Sequence, residues 1–143
     1  MKRTVILSTQ LARLQDEAAS SMIELALTLP VLLMLILGVF DLGLGLRIYG
    51  GLTNAAYEGT RWLTTHPTDI DGTMARIAAE AGMVDVPEAE LEITLIPAQS
   101  SYQISDTVTI RVHYEYPALF GALTGFPTIP ITVSVTMQVL YES

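Results

Sequence analysis

The chain has 143 residues, half of them apolar and 15% charged, with a formal net charge of −8. That length suits one domain and is short for two. The acidic balance argues against nucleic acid as a partner, because phosphate neutralisation needs clustered Lys and Arg. With no cysteine in the chain, a disulfide framework, a thiol nucleophile and a Cys-type zinc site are excluded.

Residues 1–19 are polar with a few charges and read as a short cytoplasmic leader. The apolar excess is concentrated next, where the 22 residues from Leu25 to Leu46 carry one charge, Asp41. A helix of that length is about 33 Å long, which matches a hydrocarbon core. The block holds ten Leu with Val31, Ile36, Val39 and Phe40. At roughly −0.3 to −0.6 kcal/mol each, these outweigh the cost of about +3 kcal/mol for one central Asp. The block therefore reads as a membrane helix. Lys2, Arg3 and Arg13 precede it, and only Arg47 and Arg61 follow closely. The positive-inside rule then puts the N-terminus in the cytoplasm and the C-terminal part outside. A cleaved secretory signal is the competing reading. The long apolar core and the lack of a small-x-small site directly after it argue against that.

Leu52, Ala55, Ala56, Gly59, Trp62 and Leu63 recur at helical spacing, so the helix continues out of the membrane. It is expected to run from about Ser20 to about Thr65 and to stop before Pro67. Pro30 and Gly50-Gly51 are its weak points. Gly51, Ala55 and Gly59 form a stripe of small residues that lets another element approach closely. That element is either the protein's own sheet or a neighbouring subunit.

A short second helix follows, with Asp69 or Asp71 as its cap, Met74, Ile77, Ala78 and Ala81 on one face and Gly82 as its stop. The period then changes to two. Leu91, Ile93 and Leu95 alternate with polar neighbours, as do Val108 to Tyr116 and Ile131 to Val139. Such alternation marks antiparallel strands with one buried and one wet face. The expected fold is α+β: a long N-terminal helix over 20–66 with its transmembrane part at 25–46, then an extracytoplasmic domain over 67–143. That domain would hold a short helix and a small antiparallel sheet of about three strands. The apolar segment 117–130, with Leu119, Phe120, Leu123 and Phe126, reads as a loop tucked under the sheet or offered as a contact surface.

The inventory for an enzyme is poor, and the chain is expected not to be one. His66 sits at a helix end and His113 on the polar face of a strand. Glu88, Glu90 and Glu92 include a pair on one strand face that could hold a cation, although a solvated edge explains them as well. No phosphate loop, nucleophile motif or metal-spaced cluster is present, and no cofactor is implied. Glu24 and Asp41 stand apart, because carboxylates in or beside a membrane helix are expensive and point to a function or a partner. Snorkelling at the helix ends is the alternative for both.

Taken together, Glu17 to Arg61 resembles the TadE-like family of tight-adherence (Tad, Flp-type) pilus proteins. The matching features are small residues before Glu24-Leu25, then Ala26-Leu27-x-Leu29-Pro30, a Leu-rich helix, Gly38, Asp41 and Gly43. Leu52-Thr53-Asn54-Ala55-Ala56-Tyr57-Glu58-Gly59 completes the pattern. The resemblance implies a pilin-like fold and a pseudopilin or minor pilin, similar to type IV prepilins, with no enzymatic role. It implies a prepilin peptidase as one partner, and other pilin subunits or copies of the chain as others. It also implies a Glu at the fifth mature position, which places the cut between Ala19 and Ser20. Ala19 departs from the Gly more usual before the cut. A cut there would leave an ammonium on Ser20. In a bundle, that group can pair with Glu24 of a neighbour and set axial register. The expected location is the bacterial cytoplasmic membrane, with incorporation into a surface filament. The alternative reading is an uncleaved, signal-anchored extracytoplasmic binding module that does not polymerise.

Overall fold

A computed structural model of the chain describes residues 2–125 and 127–140, with side chains described at 19–121, 125 and 127–140. The order is α1 (Lys2–Thr65), α2 (Ile70–Gly82), a 3-10 turn (Glu88–Glu90), β1 (Leu91–Ile96), β2 (Thr107–Pro117), α3 (Leu119–Thr124) and β3 (Thr128–Gln138). This is the α+β architecture that the change of period announces. Two details differ from expectation. Helix α1 begins at Lys2 and not near Ser20, and it passes through Pro30 without a break. The apolar segment expected as a loop contains α3, closed at its end by Gly125 at φ 87°. Gly125 donates its N–H to the Gly121 carbonyl at 3.0 Å, a left-handed cap that glycine adopts without a steric cost.

The chain divides into two compact units, Met1–Val39 and Phe40–Ser143. In the first, the described side chains are exposed on every side of α1. Val31, Leu32, Leu33 and Met34 span a full turn, and all are about half exposed or more. A helix apolar all round belongs in a bundle core or a membrane. The helix from Ala19 is long and apolar enough to cross one and fits a single-pass anchor.

In the second unit the same helix changes character. Its buried positions are Asp41, Ile48, Leu52, Ala55, Ala56, Gly59, Thr60, Leu63 and Thr64, a single stripe at helical spacing. Residues 40–46, apolar by composition, lie in this unit. The sheet has the order β1-β2-β3 and is antiparallel throughout. β2 alternates strictly, with Val108, Ile110, Val112, Tyr114 and Tyr116 buried. These residues, the α1 stripe and Ile77 and Ala81 of α2 form one core. Buried side chains of this size contribute about 1.5–3 kcal/mol each. The C-terminal end is tied back by the Leu140 N–H, which donates to the Thr64 carbonyl at 3.2 Å. Glu88 and Glu90 lie in the 3-10 turn, so the expected acidic pair on one strand face is not formed; Glu92 alone is on β1.

The small residues of α1 have a specific neighbour. A Cβ on Gly59 would overlap the Ile77 side chain, and one on Gly51 would overlap Val84. A Cβ on Gly50 meets nothing within 4 Å. Alanine gains about 0.5–1 kcal/mol over glycine in a helix, whereas overpacking costs about 1–3 kcal/mol. Ile77 is fully buried and has nowhere to move. Thermal unfolding in detergent should therefore show Gly50→Ala with a raised midpoint and Gly59→Ala with a lowered one.

Candidate functional site

Asp41 is the most constrained acid of the described chain. It is 5% exposed, although it stands in an apolar stretch of α1. Its Oδ1 accepts the Leu119 N–H at 3.0 Å and the Tyr116 hydroxyl at 3.3 Å. Its Oδ2 accepts the Phe120 N–H at 2.5 Å. The reason lies in α3. The first N–H groups of any helix lack intrahelical acceptors, and the N-cap of α3 is Ala118, whose side chain cannot supply one. Asp41 supplies it from α1, and its negative charge meets the positive end of the helix dipole. The carboxylate thus reaches protein donors and not bulk water.

Tyr116 closes the same site from β2. Burial first, then the charge and hydrogen bond of Asp41, push its phenol above the ordinary range. Tyr116 therefore remains a neutral donor at any physiological pH.

The stripe Gly51, Ala55 and Gly59 faces inward. Ala55 is fully buried, and Gly59 lies against Ile77 and Thr73 of α2. Within the chain, the nearest neighbours of Gly51 and Gly59 are not the sheet, one of the two elements expected there. They meet α2 and Val84, the residue two beyond its end.

A second polar junction sits where α1 hands over to α2. The Trp62 indole N–H donates to Asp69 Oδ2 at 2.9 Å, and the Gly72 N–H donates to Oδ1 at 2.9 Å. Asp69 is thus the N-cap of α2 and a receptor for the indole. The Arg76 guanidinium carbon lies 3.7 Å from the centre of the Trp62 ring. The His66 ring is stacked on Trp62 at 3.7 Å and 11°. Two planar groups at that distance cannot share one face, so Trp62 is sandwiched. His66 is committed to this stack. His113 pairs with Thr132 at 2.8 Å and Glu115 at 3.3 Å on the wet face of the sheet. Arg47 meets Asp85 at 3.0 Å with both side chains largely exposed, a contact worth little.

Ala19, Ser20 and Glu24 lie on α1 with exposed side chains. The Glu24 carbonyl accepts the Thr28 hydroxyl at 2.8 Å.

Asp41→Ala leaves two amides and a phenol without their acceptor, and should cost about 3 kcal/mol in chemical unfolding of the second unit. Tyr116→Phe removes only one donor, and should cost about 1 kcal/mol. Asp69 gives a pH signature. The Trp62 hydrogen bond, then that of Gly72, hold its carboxyl below the ordinary range against a smaller upward push from burial; His66 and Arg76 add a little. A depressed folded value means stability that is present at neutral pH and lost as pH falls through it. The gap in melting temperature between wild type and Asp69→Asn should be open at pH 7 and should close as pH falls through and below the ordinary carboxylate range.

Comparison with curated proteins and with solved structures gave no match. One family model does match, and it covers the apolar helix, the Asp41 position and the small-residue stripe together: over residues 19–61 the chain is similar to TadE-like proteins.

Proposed function

We propose that the chain is a pseudopilin or minor pilin that takes part in assembling Tad (Flp-type) pili or a related adhesion and secretion machine. The observation that carries this reading is the TadE-like match over 19–61, laid on a helix whose stretch 25–39 carries no charge and exposes apolar side chains all round. In this reading α1 inserts into the bacterial cytoplasmic membrane with its N-terminus inside. The second unit stands outside, and the chain acts structurally and not as an enzyme.

A membrane prepilin peptidase cuts between Ala19 and Ser20. The new Ser20 ammonium then lies four residues from Glu24. In a bundle of α1 helices, the ammonium of one subunit pairs with the Glu24 carboxylate of the next. A charge left alone in such a bundle is costly, so only one axial register satisfies both groups. The partners are the peptidase, the membrane, and other pilin subunits or further copies of the chain. The exposure of the Glu24 side chain supports this role, since it leaves the carboxylate open to a neighbouring subunit.

Intact mass of the protein from a host with an active prepilin peptidase should give a chain that begins at Ser20. A full-length chain there would favour the uncleaved, signal-anchored binding module instead. Glu24→Ala should insert into the membrane normally but fail to enter filaments or subunit complexes. Normal incorporation of that variant would remove the register role.

A further inference from the structure

The second unit is acidic, but its charge is unevenly placed along the sequence. From Tyr116 to Tyr141 there is no Asp, Glu, Lys, Arg or His. That stretch holds α3 and β3, and Asp41 fastens the start of α3 to α1 through the Leu119 and Phe120 amides. Around this fastening the surface is apolar. Phe40 and Leu42 flank Asp41 on α1 and are 61% and 65% exposed. Leu119, whose amide touches Asp41, is 55% exposed.

The sheet ends here in the same way. Ile129 is directly opposite Tyr116 in the β2–β3 ladder, so both side chains belong to the core-facing side of the sheet. One register step further in, Ile131 is 7% exposed; Ile129 is 46% exposed. The inner face of the sheet therefore runs past its cover at the Asp41 end. A soluble surface seldom gathers such residues without a partner.

We infer that the apolar surface at this end, formed by Phe40, Leu42, Leu119 and Ile129, is a lipid-contact surface seated in the outer boundary of the bilayer. The occupant follows from continuity. Phe40 and Leu42 are the direct extension of the apolar run of α1, and Asp41 holds α3 at the same level of that helix. The side chains at that level therefore meet the boundary between hydrocarbon and headgroups, where apolar side chains gain from partial insertion. Carboxylates elsewhere in the unit remain in water. Asp41 itself lies at this depth without cost, because its charge is met by two amides and a phenol.

The inference rests on the membrane-anchor reading of α1, and one experiment separates the two. The chain has no native cysteine, so single-cysteine variants each carry one label. Leu119→Cys, Ile129→Cys, Thr94→Cys and Leu33→Cys are labelled with an environment-sensitive nitrobenzoxadiazole dye. Each full-length protein is placed at one copy per phosphatidylcholine nanodisc, and reduction by aqueous dithionite is timed. Thr94 is on the wet face of the sheet and serves as the aqueous reference. Labels at 119 and 129 should react several-fold more slowly than at 94, and lipids carrying shallow nitroxides should quench them. Reaction at 119 and 129 as fast as at 94, with the label at 33 protected, overturns the inference and leaves the anchor in place. Free reaction at 33 overturns both. Protection at 119 and 129 that appears only in discs loaded with several copies also overturns it, and reassigns the face to contact between subunits.

Discussion

The second unit depends on one carboxylate meeting one helix start. Asp41 lies where α1 stops being apolar on every side and acquires a buried stripe. A charge at that point is expensive unless it is fully paired. Two amides of α3 and the Tyr116 hydroxyl pair it. The same contact solves a problem for α3, whose own N-cap is an alanine. Each element supplies what the other lacks, so neither the acid nor the helix is adequately satisfied alone. The position of α3, and with it the β2–β3 connection, is therefore fixed to a specific turn of α1.

Further along α1 the constraint changes from charge to volume. Gly59 and Ala55 leave room for α2 to lie close, with Ile77 filling the space that a larger residue would occupy. At the far end the Trp62 sandwich and the Asp69 cap define the turn into α2. Within the second unit, α1 thus receives a loop helix at its Asp41 end, a packed helix along its middle and a capped corner at its close. The sheet lays a continuous apolar face over the same stripe.

Much of this was legible from the chain. The alternation in β2 is strict because one face of the strand is buried and the other wet, and burial follows it residue by residue. The start of α2 was legible because Asp69 carries a local capping signal. The role of Asp41 was not, since its partners are more than seventy positions away and two of them are backbone amides that side-chain patterns do not encode. α3 was hidden for the same reason: its cap comes from a different helix, and its six residues are too few to show a period. The neighbour of the small-residue stripe was also hidden, because Gly and Ala report that something comes close and not what it is. Glu88 and Glu90 misled because a 3-10 turn interrupts the alternation just before β1.

The two acids of the apolar helix now differ in kind. Asp41 is satisfied within its own chain, whereas Glu24 is exposed and, in the proposed role, waits for a partner on another subunit. The claim that Asp41 caps α3 is tested most directly by amide hydrogen exchange at Leu119 and Phe120 in the full chain in nanodiscs. The account expects both amides to be protected in the wild type and to exchange much faster in Asp41→Ala, which removes the acceptor, with the central amides of β2 unchanged. Wild-type exchange at 119 and 120 as fast as in the exposed segment 99–101, or unaltered by the substitution, would contradict it.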